Sequence, residues 1–145
     1  MPIKNFDDVL TKVAEIEVAA DAHVVRGGTP GQVLAHCAQS IQYSVSGFPE
    51  NKPAWLQKTI GRLVARRFLR RGAMSHNLEQ PIPGAPALND VSLAEGVDSI
   101  RDAIAAFREA RQLAPHFVFG ELTPEDYEQM QAMHFADHFE AFDLS

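Results

Sequence analysis

The sequence predicts an all-α fold in a single domain spanning residues 1–145. Apolar residues recur at three- and four-residue spacing in several separate stretches, and most of those stretches open on helix-capping residues. Only one short run, His116-Phe117-Val118-Phe119, has any strand character. With 46% hydrophobic and 22% charged residues over 145 positions, the chain can bury a core and is not disordered.

The first amphipathic helix carries Phe6, Val9, Leu10, Val13 and Ile16, and ends before the turn-forming pair Gly27-Gly28. A second opens at Thr29-Pro30-Gly31-Gln32, where threonine caps, Gln32 reaches back and proline fits the first turn. Its apolar stripe is Leu34, Cys37, Ala38, Ile41 and Val45, and Gly47-Phe48-Pro49 ends it. A third starts at Pro53 and runs through Trp55, Leu56, Ile60, Leu63, Val64 and Phe68 to Arg71-Gly72. Pro81, Pro83 and Pro86 forbid one long helix over 72–90, so that stretch is a long connection of the kind that is either mobile or functional. Ser92-Leu93-Ala94-Glu95 reads as a capping box for a helix with Leu93, Val97, Ile100, Ile104 and Phe107 on one face. Thr123-Pro124-Glu125-Asp126 caps the last helix, which bears Tyr127, Met130, His134, His138 and Phe142. Five helices with one long crossover suggest an antiparallel bundle.

Composition removes several functions. A net charge of −6, from 13 basic and 19 acidic residues, argues against a general nucleic-acid binder. The single cysteine, Cys37, excludes an internal disulfide and a CxxC zinc site. No apolar run is long enough to cross a membrane, and the first residues lack a signal-peptide core, so a cytoplasmic protein with no membrane partner is expected.

Chemistry is expected at His134 and His138. Four residues apart on a helix, two imidazoles project from one face and can hold one metal ion. They share that face with Tyr127 and Met130, so both rings are expected to point inward, where unpaired ring nitrogens are costly. One ion satisfies both; hydrogen bonds to neighbouring helices would satisfy each separately. His36 is the natural third ligand, yet it lies about 140° from the centre of its helix's apolar stripe. Either that helix is buried on two sides, or His36 is exposed and Cys37 points inward in its place.

Two segments resemble a known family: Thr-Pro-Gly-Gln-Val-Leu-Ala-His-Cys-Ala-Gln-Ser-Ile (29–41) and His-Phe-Ala-Asp-His-Phe (134–139) are similar to the DinB/YfiT-like metalloenzymes. Gly47-Phe48-Pro49, Pro81-Ile82-Pro83-Gly84-Ala85-Pro86 and Phe119-Gly120-Glu121-Leu122 occur in the same order in a branch of that family catalogued as a domain of unknown function. The resemblance implies a DinB-like four-helix bundle (up-down-down-up) with an additional short helix and a long Pro-rich crossover loop. It also implies a divalent metal held by His36, His134 and His138. The branch often has a further histidine and an Arg-Gln near the pair, where this chain has Asp137, Glu140 and Ala141. Better-understood relatives are thiol-dependent S-transferases and isomerases, which points to a small-molecule substrate and a low-molecular-weight thiol, with hydrolysis as another reaction open to such a metal. Three neutral imidazoles leave coordination positions open, as in catalytic sites, and suit zinc, nickel or iron alike.

Around this triad, Gln39, Ser40 and Tyr43 are candidate pocket residues, Asp137 a candidate partner of a ligand, and His76 a reserve ligand, since long loops can cover a site. His116 is expected to be exposed rather than liganded, His23 to be structural or solvated, and Cys37 to be a small core residue. Residues 52–71 carry seven basic and no acidic side chains, whereas 121–145 carry seven acidic and no basic ones. Arg62, Arg66 and Arg70 share a ridge that would suit an anion, but a solvated face complementing the acidic last helix, within the molecule or across a homodimer, is the expectation. The competing reading is a non-catalytic helical dimerisation module with a structural or vestigial metal site.

Overall fold

A computed structural model describes residues 2–19, 21–76, 78 and 80–144. The chain is mostly helical, in the order α1 (Phe6–Val18), β1 (His23–Val24), α2 (Pro30–Ser46), α3 (Ala54–Leu56), a π-helical segment (Gln57–Gly61), α4 (Arg62–Arg71), α5 (Leu93–Glu109), α6 (Pro124–Phe139) and β2 (Phe142–Asp143). Because α3, the π segment and α4 are continuous, there are five helical stretches among the described residues, as the periodicity predicts.

The predicted caps at Thr29 and Thr123 form: Thr29 and Gln32 make the reciprocal capping box, and Thr123 accepts the Asp126 N–H. Asn5 caps α1 in addition, accepting the Asp8 N–H. At α5 the box is altered. The Ser92 hydroxyl accepts the Glu95 N–H and donates to Glu95 Oε1, so the carboxylate serves the hydroxyl instead of the backbone.

The most extensive contact joins α2 to α5, which are far apart in sequence. Their starts lie side by side. A Cβ on Gly31 would sit 2.4 Å from the carbonyls of Val91 and Ser92, and one on Gly96 would sit 2.6 Å from the Gly31 carbonyl, so both positions exclude any side chain. The other directions follow from pairwise contacts. Asp7 and Glu17, at opposite ends of α1, pair with Arg108 and Arg101, so α1 runs against α5. Glu128 in the first turns of α6 accepts the Phe6 N–H at the start of α1 (2.8 Å), which sets these two helices side by side from their starts. Along α2 and α6, Ser40 and Ser44 meet Gln131, whereas His36 meets His138, so this pair is antiparallel.

Phe6, Val9, Val13, Ile16, Leu34 and Ile41 lie in the core with the predicted stripe of α5 and with Tyr127 and Phe135. A smaller cluster of Ala65, Phe119, Met130 and Met133 lies under α4. Here the sequence expectation needs correction, because Trp55, Ile60 and Leu63 are exposed and Gly61 and Ala65 face inward. The turn over 116–120 comes so close that a Cβ on Gly61 would lie 2.2 Å from the Val118 carbonyl. Only the small residues fit on that side, and the π segment brings them there. The antiparallel pairing of β1 with β2 is a second departure from the predicted pattern. Two-residue strands are too short to carry a period.

Candidate metal centre

Four imidazoles converge between α2, α6 and the long connection. His36, His76, His134 and His138 each offer a ring nitrogen, and these atoms lie within 4.8 Å of one another, close enough to hold a metal ion. Three of the rings come from helices. His134 and His138 stand one turn apart on α6 with ring centroids 4.9 Å apart, and His36 on α2 faces them at 5.1 and 4.8 Å. The fourth, His76, descends from the connection to 4.8 Å from His134 and 4.7 Å from His138.

Helical phase had left His36 in doubt, and the structure resolves it through burial around most of α2. Gly31, Val33, Leu34, Ala35, Cys37, Ala38, Ser40, Ile41 and Ser44 are all buried, so the helix is covered on two sides. Cys37 lies in the core, where burial pushes its thiol pKa far up, and His36 turns towards α6. His76, held in reserve by the sequence, joins the cluster and enlarges the expected triad to four.

The ring nitrogens have the chemistry of metal donors. Desolvation lowers the His36 pKa to about 4 and that of His138 to about 3, and holds His134 well below its ordinary value; repulsion among the neighbouring imidazoles adds to each shift. All three are therefore neutral near pH 7, with lone pairs free. His36 Nε2 and His134 Nδ1 are buried without a hydrogen-bond partner among the described residues, which is costly unless something else is bound. His76 Nε2 and His138 Nε2 face each other at 3.0 Å. These orphaned donors fit a divalent ion.

Asp137 braces His76. Its Oδ2 accepts the His76 backbone N–H at 3.0 Å and lies 2.6 Å from His76 Nδ1. The ring contact is close but poorly aligned for a hydrogen bond, so the backbone contact is the better formed of the two. A carboxylate behind a ligating imidazole is the usual way such rings are oriented.

Two cavities flank the cluster. One of about 380 Å³ reaches His36, His76 and His134 and is otherwise walled largely by apolar side chains. The other, about 200 Å³, touches His36 and His138 and is bordered by Leu88 and Pro86. A larger groove of about 580 Å³ lies elsewhere, between Arg108, Arg111, Glu121 and Glu125, and contains no histidine.

Other predicted pocket residues divide. Ser40 lines the 380 Å³ cavity, and its carbonyl accepts from Gln131. Gln39 borders the smaller cavity and donates to the Pro86 carbonyl at 3.3 Å, fastening the connection. Tyr43 lines neither cavity; its ring packs on Phe48 at 5.6 Å, one helical turn too far along. His116, expected to be exposed, is buried in the wall of the 380 Å³ cavity. Its only sequence signal was a place among aromatic residues in the 116–119 run. His23 is exposed, with Nε2 3.5 Å from Asp143. Arg62, Arg66 and Arg70 are exposed on α4, away from the histidines, and form no ion pair among the described residues.

No curated protein and no solved structure matches the chain. A family model described as "Protein of unknown function (DUF1569)" matches residues 2–144, so with these four histidines and this helical frame the chain belongs to the DUF1569 family.

Proposed function

We propose that this protein is a metal-dependent enzyme of DinB-like type, holding a divalent ion on His36, His134 and His138 with His76 as a fourth donor. The reading is carried by one observation: four imidazoles, three of them held neutral by burial, converge within 4.8 Å with two orphaned nitrogens among them. The helix directions support the DinB-like frame. With α1 up, contact geometry makes α2 down, α5 down and α6 up, and the connection over 72–92 is the crossover.

A bound ion would supply Lewis-acid polarisation of a substrate oxygen, or stabilise a thiolate, as hydrolysis or thiol transfer requires. The protein's own contribution is positional. Helices α2 and α6 fix three donors, Asp137 holds the fourth by its backbone, and the apolar cavity beside them excludes water from a small substrate. Substrate enters from the side of His36, His76 and His134, where the larger cavity opens on the cluster.

Elemental analysis of the purified protein tests the reading. About one zinc, nickel or iron ion per chain is expected, lost in His134→Ala, with cobalt substitution giving a spectrum free of thiolate charge transfer. A wild-type protein with no bound metal after loading, or a strong sulfur band, overturns it.

A further inference from the structure

We propose that His116 is a binding residue of the 380 Å³ cavity, and that the ligand it takes is a small carboxylic acid with an apolar body. The inference rests on the proposed use of this cavity by a substrate and adds the class of that substrate.

The geometry of the 116–120 turn fixes the tautomer of His116. Its Nδ1 accepts two backbone N–H groups, from Val118 at 3.1 Å and Phe119 at 3.2 Å. Only the lone-pair nitrogen of a neutral imidazole can do so, and the proton is therefore inferred to lie on Nε2. Burial also keeps the ring neutral, lowering its pKa to about 3. What remains is an uncharged N–H donor. His116 is 8% exposed and lines the cavity, and its Nε2 has no hydrogen-bond partner among the described residues. A ligand oxygen in the cavity would give this N–H an acceptor.

The donor is also held still. His116 and Gly120 exchange two backbone hydrogen bonds, at 2.8 and 3.0 Å. Gln57, on the π segment, donates to the carbonyls of His116 and Phe117 at 3.3 and 3.1 Å. The ring is stacked on Phe119 at 4.5 Å and on Phe117 at 4.7 Å. The irregular helix and the glycine at 61 thus dock this turn and hold the ring in the cavity wall.

Charge and apolarity supply the rest of the ligand. Lys52 lines the same cavity, tied to the turn by its backbone N–H on the Phe117 carbonyl at 2.8 Å, and no aspartate or glutamate lines it among the described residues. A neutral N–H donor and a lysine bordering one cavity favour a carboxylate over a cation, and over a neutral alcohol through its charge. Val64, Phe68, Met74, Ile82 and Met130 supply an apolar stretch of wall beside the polar Ser40, Ser75, Gln80 and Gln131, in a volume of about 380 Å³ that is at the small end of ligand sites.

The test uses hexanoate and hexan-1-ol as probes, titrated calorimetrically into metal-loaded and metal-stripped protein, alongside long-range proton–nitrogen NMR of the histidines. In the wild type, the His116 proton is found on Nε2 and hexanoate binds more tightly than the alcohol in both forms. His116→Asn, whose side-chain oxygen can take the place of Nδ1 as acceptor for the turn while the Nε2 donor is lost, weakens hexanoate about tenfold or more and the alcohol by less. Lys52→Ala, an exposed side chain whose loss does not threaten folding, weakens hexanoate by a smaller factor. A proton on Nδ1, no preference for hexanoate over the alcohol, or equal hexanoate affinity in the wild type and both variants overturns the proposal. Metal content is read separately in each sample, so a wild type that binds no metal sinks the metalloenzyme reading while hexanoate in the stripped protein still decides this one.

Discussion

The helix-borne histidines and the loop-borne histidines of this protein are built by different means. His36, His134 and His138 inherit their positions from α2 and α6, whose faces are fixed by core side chains such as Leu34, Ile41, Tyr127 and Phe135. His76 and His116 sit on connections and are placed by particular hydrogen bonds: the His76 backbone N–H donates to Asp137, and the Val118 and Phe119 amides donate to His116 Nδ1. Helical placement resists single substitutions, since many contacts share the task. Placement by one or two hydrogen bonds is open to adjustment, and it is where relatives with the same frame can differ in ligand and reaction.

That contrast breaks most sharply in metal binding. His36→Ala should weaken the metal by more than about 100-fold, beyond the 10–100-fold typical of outer-shell partners, whereas its neighbour variant Cys37→Ser should leave metal content unchanged. Isothermal titration with a competing chelator measures both. His76→Ala and Asp137→Asn should fall lower, at about 10–100-fold and about tenfold, because three helical donors survive. Equal losses at His36 and His76 would remove the distinction between the two groups.

Backbone contact comes next in size. Gly31→Ala drives a Cβ against two carbonyls and should cost about 1–3 kcal/mol in denaturant melts, with metal affinity falling as α2 shifts. Unchanged stability would mean that α2 and α5 are not locked at their starts.

Acid sharpens the comparison further. In metal-free protein, His36, His138 and His116 have folded pKa values of about 4, 3 and 3, below the unfolded value of 6.5. The unfolded chain therefore binds more protons than the folded one below pH 6.5. Stability is unaffected above that pH, declines as pH falls through the window from 6.5 to about 3, and levels off below it. Thermal melts should show Tm dropping across the window, with bound metal shielding the cluster histidines and leaving His116 exposed to the effect. A flat Tm would mean that these rings are solvated. The smallest change is expected on the exposed ridge. Arg66→Gln with Arg70→Gln should leave stability within about 0.5 kcal/mol and metal content untouched.

Much of the frame was legible because helices repeat. The stripes of α1 and α5, the Thr29 and Thr123 caps and the proline-rich crossover follow from local rules, and HxxxH puts two imidazoles on one face by spacing alone. His36 was beyond periodicity, because a helix buried on two sides has no single apolar phase to read. His76 was legible only as a reserve, since its place depends on an aspartate 61 residues away. Asp137 was marked from its position beside the pair, but its partner was not. His116 was misjudged because its burial comes from a turn closing on itself and docking against Gly61, which no one-dimensional pattern records. The same docking moved Ile60 and Leu63 outward, against their helical period.

The pairing of α2 with α5 also bears on how the chain reaches its native state. These two helices make the most extensive contact in the molecule, yet 46 residues of chain separate them, between Ser46 and Leu93. Their union must close that long loop before it gains the contact that rewards closure, so it is a slow, entropically opposed event. During synthesis it waits until α5 has emerged, and α6 with two of the imidazoles follows later still. The α6 imidazoles are thus made last, and an ion held on all four histidines could bind only once α6 is present.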